Sequence, residues 1–104
     1  MNIASKIERL LEGLLAYEPE KVIHFGSTAR GDFDEHSDID IIVIKSTDRR
    51  FLQRLVDVGK FVPSDISADV FVYTPDEIVA MIDDGNPFIE QALAQGKTIY
   101  EKAP

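Results

Sequence analysis

Apolar residues at Ile3, Ile7, Leu10, Leu11, Leu14 and Leu15 recur at the spacing that lines one face of a helix, and Pro19 prevents its continuation. The pattern then shortens. Lys21–Phe25 reads as a strand closed by Gly26, Ser27–Asp32 fits one helical turn, and Phe33–Ser37 reads as a loop. Asp38–Lys45 is rich in β-branched residues and apolar on both faces after its first turn, as a central strand requires. Ser46, Thr47 or Asp48 offers a cap for a helix whose apolar positions are Phe51, Leu52, Leu55 and Val56, fading near Gly59. A third strand spans Ser67–Tyr73. Thr74-Pro75-Asp76-Glu77 supplies a cap residue, a first-turn proline and a glutamate three residues after the cap, opening a helix with Ile78, Met81 and Ile82 on its apolar face. Asn86-Pro87 opens a last helix carrying Phe88, Ile89 and Leu93, stopped by Gly96, and Thr98–Glu101 reads as an edge strand. Strands alternating with helices predict an α/β (α+β) fold, a sheet covered by helices.

Composition narrows what such a fold can do. The 104 residues suit a single domain, residues 1–104, and 44% hydrophobic content supports a packed core. With no cysteine, disulfide scaffolds, cysteine-ligated zinc and thiol catalysis are excluded. Lys6, Glu8, Arg9 and Glu12 interrupt the first apolar segment, so it reads as neither a signal peptide nor a membrane span, and a cytoplasmic location is expected. Nineteen acidic against eleven basic residues give a net charge of −8, which disfavours nucleic acid as a partner. A phosphorylated small molecule remains compatible if a divalent cation reverses the local sign, and so does a basic protein partner.

Asp38 and Asp40 stand at the mouth of the most apolar segment, where an ionised carboxylate is costly unless it is paired or binds a metal. Alternate residues of a strand share a face, roughly 6–7 Å apart. Paired hard oxygen ligands suit Mg²⁺ or Mn²⁺ together with substrate phosphates. Asp69 interrupts a second apolar strand, "SADVFVY", and can face the pair if the strands are neighbours, completing a two-metal site. Gly26-Ser27 supplies a close-approach turn, free backbone N–H groups and a hydroxyl for an anion. No GxxxxGK[ST] loop is present.

"GSTARG", then "SDID", then "ADVFV" resembles the Gly-Ser, paired-Asp and third-Asp pattern of the nucleotidyltransferase superfamily, and the length is similar to that of its minimal members. The resemblance implies a small mixed β-sheet flanked by helices and transfer of a nucleoside monophosphate, with AMP from ATP expected, to a hydroxyl with release of pyrophosphate. It implies that Gly26 and Ser27 hold the triphosphate tail, that Asp38 and Asp40 hold two metal ions, and that Asp69 completes the metal nearer the attacking hydroxyl. Arg30 matches the "ARG" of the pattern, where a positioning role is expected. Minimal members include antitoxins that put AMP on a tyrosine of a HEPN-domain toxin, so a HEPN-domain protein is the expected partner; homo- and hetero-oligomers are both left open. Two further readings stand beside this one: a non-catalytic antitoxin that neutralises its partner by contact, and a small-molecule (antibiotic) nucleotidyltransferase. The latter usually needs an added domain.

Single residues carry blander readings as well. Gly-Ser alone is usually an ordinary turn. Arg30 can pair with Asp32 or Asp34 as readily as with a phosphate or partner. His24 reads as a packed residue, His36 as a solvated loop residue, and Lys45 and Lys97 as surface lysines. Asp65 is the next candidate ligand should Asp69 not serve.

Overall fold

Among the described residues, strands and helices follow one another in the order α1 (Ile3–Leu15), β1 (Lys21–Phe25), α2 (Gly26–Arg30), β2 (Ile39–Ile44), α3 (Phe51–Gly59), β3 (Ala68–Tyr73), α4 (Pro75–Asp83), α5 (Pro87–Gln95) and β4 (Lys97–Glu101). This computed structural model describes residues 2–34 and 36–104; Met1, at the head of the first expected helix, and Glu35, in the expected 33–37 loop, lie outside them. The sheet order is β3-β2-β1-β4. β1 runs antiparallel to both β2 and β4, and β2 runs parallel to β3, so the sheet is mixed. A parallel pair needs a crossover, which α3 provides.

β2 is the spine, and its composition explains why. Ile39, Ile41 and Val43 enter a core with Leu10 and Leu14 of α1, Val58 of α3, and Val70 and Val72 of β3. Ile42 enters a second core on the opposite face with Ile23, Ile78 of α4, and Ile89 and Ala92 of α5. A strand buried on both faces must be apolar at consecutive positions, and each fully buried side chain of this size contributes about 1.5–3 kcal/mol.

Helix ends form as their residues dictate. The Asn2 side chain accepts the Ser5 N–H at 2.8 Å to start α1. At α4, Thr74 accepts the Glu77 N–H and Glu77 accepts the Thr74 N–H, a reciprocal capping box. Asn86 caps α5.

α3 departs from the sequence expectation in cap and face. It starts at Phe51 with Arg50 at the cap position, rather than from Ser46, Thr47 or Asp48, and Gln53 Oε1 accepts the Arg50 N–H. Its inward residues are Arg54 and Val58, while Leu52 and Val56 are 73% and 65% exposed. Arg54 turns inward because its guanidinium donates to Glu77 and to the Val72 and Arg49 carbonyls, which fixes the rotation of the helix. On α4, Ile78 is buried but Ile82 faces solvent. Lys45 is not a bare surface lysine: its ammonium donates to the Tyr17 carbonyl at 2.5 Å and lies over the Tyr17 ring.

Candidate active site

The C-terminal end of β1 and the N-terminal ends of β2 and β3 meet at one edge of the structure, and pairing decides which carboxylates come together. Phe25 pairs with Asp40, which sets the following Gly26 beside the Asp40 strand position. In the parallel ladder Asp40 is matched with Asp69, so the two carboxylates are neighbours across strands on one face. Asp38 lies just outside β2 and accepts a hydrogen bond from the Ser67 hydroxyl, the residue preceding β3. The closest relation defined by the sheet is therefore the cross-strand pair Asp40–Asp69, with Asp38 joined from the flank.

Gly26 has φ +77°, a conformation costly for residues with a Cβ. A methyl group there would collide with Asp40 Oδ2, so glycine is required on two counts. The turn is braced from beneath by His24 and Thr28, both buried, whose Nε2 and Oγ1 lie 2.7 Å apart. Burial, with a smaller contribution from Lys97, holds the His24 imidazole below its ordinary pKa, and His24 is packed, as the sequence suggests. The Asp40 carboxyl is pushed above its ordinary range, first by burial and then by the charges of Asp69 and Asp38; Arg30 opposes the rise.

The remaining candidates separate from this group. Arg30 is exposed, with its Nε 3.6 Å from Asp32. Asp65, the reserve candidate from the sequence, is engaged by Arg9 at 2.7 Å. His36 is exposed, and its backbone N–H donates to Asp34. Lys97 is exposed on β4.

Among the described residues no three carboxylate or imidazole groups have converged around a common point. The donor set itself, hard carboxylate oxygens brought together on two neighbouring strands, fits Mg²⁺ or Mn²⁺. Sequence reading missed Ser67, Thr28 and Arg54. Ser67 and Asp38 come together only once the β2–β3 register is known, a long-range fact absent from local pattern.

Residues 5–104 match the protein family described as "Polymerase beta, Nucleotidyltransferase". A stretch of 44 residues is 36% identical to a Methanocaldococcus jannaschii protein named "Putative protein adenylyltransferase MJ0141"; it covers 42% of this chain and 44% of that protein, less than half of either. The fold is similar to a crystal structure titled as "a putative nucleotidyltransferase from Sulfolobus solfataricus", with a TM-score of 0.50 and 23% identity over 94% of this chain and 88% of that one.

Proposed function

The chain is a nucleotidyltransferase of the polymerase beta family, and from that premise we propose that it moves AMP from ATP to a hydroxyl of a partner protein, as an antitoxin-type minimal nucleotidyltransferase modifying a HEPN-domain toxin. The observation that carries the reading is the in-register Asp40–Asp69 pair with Gly26 packed against Asp40. The name of the archaeal relative supports a protein acceptor. The HEPN partner rests on the "GSTARG" and "SDID" resemblance, and the exposed Leu52 and Val56 of α3 offer apolar surface for a partner.

Asp38, Asp40 and Asp69 would hold Mg²⁺ or Mn²⁺, which would offset phosphate charge and polarise the α-phosphate. Gly26 and Ser27 receive the β- and γ-phosphates through backbone N–H groups and the Ser27 hydroxyl. Arg30, whose charge already acts on Asp40, adds a cation on the same side. Asp69, the exposed member of the pair, accepts the proton of the attacking hydroxyl. The hydroxyl oxygen bonds to the α-phosphorus as the bridge to the β-phosphate breaks, and the electron pair leaves on pyrophosphate.

The test is to incubate the protein with Mg·ATP and the product of its neighbouring gene, then weigh that product. A gain of one AMP, absent with Asp40→Asn, supports the reading; an unmodified partner overturns it. The engagement of Asp38 by Ser67 favours a second reading, neutralisation by contact alone. That reading requires relief of toxicity to persist in Asp40→Asn with no mass change.

A further inference from the structure

The two edges of the sheet differ in composition. β4 carries Lys97 and Glu101 at its ends, the kind of charge that keeps an edge from pairing with foreign strands. β3, the other edge, reads ADVFVY, without lysine or proline. Its ladder shows which backbone groups face outward. The Ser67 and Tyr73 carbonyls accept the N–H groups of Ile39 and Lys45, so residues 67, 69, 71 and 73 turn their backbone groups towards β2. Ala68, Val70 and Val72 alternate with these and present N–H and C=O to the outer side. Arg54 takes the Val72 carbonyl, closing the edge at its C-terminal end. Ala68 and Val70 remain, one on each side of Asp69. A groove of about 460 Å³ runs along this stretch, with Leu55 and Val58 of α3 in its far wall. Ala68, Asp69, Val70 and Phe71 all border it, although consecutive strand residues point to opposite faces. The groove therefore follows the strand's edge rather than lying over one face.

We propose that the acceptor is an extended segment of the partner protein that adds to the outer edge of β3, with its hydroxyl residue beside Asp69. The proposal rests on the nucleotidyl-transfer reading above. The added strand pairs with the backbone groups of Ala68 and Val70, and its side chains alternate between the two faces. The residue beside Asp69 shares the Asp69 face, so its hydroxyl arrives next to that carboxylate, on the side away from Asp40. The residues before and after it point to the opposite face, into the groove below α3, where Leu55, Val58 and Val70 suit apolar side chains. The acceptor sequence inferred from this edge is apolar, hydroxyl, apolar. A second copy of this chain is the poorer occupant. Two molecules of net charge −8 repel, and Ala68–Val72 contains no hydroxyl residue to bring to Asp69.

The probe is the product of the neighbouring gene, presented with Mg·ATP. Gly59 borders the groove at the end of α3, and a Cβ there meets nothing within 4 Å. Gly59→Leu therefore fills the groove while replacing a poor helix former. It is expected to keep the parent's thermal midpoint and Mg·ATP affinity and to lose AMP transfer to the partner. Ala68→Pro deletes one outward N–H and no bond to β2, at the first residue of the strand, where proline is tolerated. It is expected to weaken partner binding roughly 2- to 10-fold, the worth of one hydrogen bond, with Mg·ATP affinity unchanged. In the unmodified protein, the Ala68 and Val70 amides are expected to gain protection from hydrogen exchange when the partner is added. The proposal is overturned if Gly59→Leu transfers AMP at the parent rate or Ala68→Pro binds the partner like the parent. It is also overturned if the two amides exchange as fast with the partner as without it, which would place docking elsewhere. Protection that rises with the protein's own concentration, without the partner, would assign the edge to a second copy and overturn it too. Should the unmodified protein leave the partner without AMP, the nucleotidyl-transfer reading itself falls and this proposal with it.

Discussion

At the C-terminal end of β3, Glu77 meets the guanidinium of Arg54 at 2.7 Å, whereas at the N-terminal end Asp69 stands beside Asp40 in the ladder. The Arg54 side chain is buried, yet its donors are shared among Glu77 and two carbonyls. The Glu77 carboxyl is held below its ordinary pKa, above all by that hydrogen bond. Asp40 is shifted the other way, by burial and by two like charges. One end of the strand pairs its carboxylate with a guanidinium; the other sets carboxylate beside carboxylate, where the proposed metal would offset the charge. The first arrangement secures the fold, and on the proposed reading the second would give up stability for the capacity to bind.

The largest expected effect comes from removing the uncompensated charge. Asp40→Asn should lower AMP transfer roughly 10²- to 10³-fold, about 3–4 kcal/mol of transition-state stabilisation, while metal-free thermal melts show a higher midpoint than the parent. Asp69→Asn should keep substantial Mg·ATP binding and lose transfer; single-turnover assays beside nucleotide titrations separate the two. A parent-like rate in Asp69→Asn would remove Asp69 from the site.

Arg54→Ala should do the reverse. Removing one partner of a buried ion pair costs about 2–4 kcal/mol, towards the lower end here because the Glu77 side chain stays 41% exposed. Denaturant unfolding measures the loss, and transfer per folded molecule should be unchanged. A large fall in specific activity would mean that the two ends of β3 are coupled.

Acidity should set the two ends against each other. The Glu77 pKa is lowered on folding, so its contribution is present above its ordinary value and is lost as pH falls through the lowered one. The Asp40 pKa is raised on folding, so it favours the fold below its ordinary value, and that advantage is lost as pH rises through the raised one. The stability gain of Asp40→Asn over the parent should therefore be full at neutral pH and shrink in acid, whereas the penalty of Glu77→Gln should also shrink in acid from the opposite sign. Metal-free melts across the range test both, and an Asp40→Asn advantage that grows in acid would refute the assignment.

The smallest effect is expected at the turn. Ser27→Ala removes one hydroxyl donor while backbone N–H groups remain, so Mg·ATP affinity should fall by about 0.5–1.5 kcal/mol. An unchanged calorimetric titration would reduce Gly-Ser to an ordinary turn.

How much of this was legible depends on range. β1 and α4 appear where pattern and capping residues placed them, because proline, glycine and the Thr74–Glu77 box act locally. The face of α3 was not legible: residues 51, 54, 55 and 58 form a helical stripe, but Arg54 interrupts it, so the visible apolar positions pointed to Leu52 and Val56 instead. The three aspartates could be picked out by their cost within apolar strands. Their grouping was legible only on the condition that the two strands are neighbours; the parallel register that matches Asp40 with Asp69 and brings Ser67 to Asp38 is long-range and lay outside local pattern.

The position of β4 has a consequence for synthesis. Asp40 and Asp69 lie on β2 and β3 and Asp38 just before β2, yet the outer edge of β1 is paired by a strand that follows every other element in sequence. Chains emerge from the ribosome in order, so a nascent molecule has all its candidate catalytic groups translated while β1 still exposes an unpaired apolar edge. Until Lys97–Glu101 docks, that edge is open to strands of neighbouring nascent chains, the ordinary route to misassembly. Closure then takes the longest loop in the sheet, and contacts of that separation form slowly.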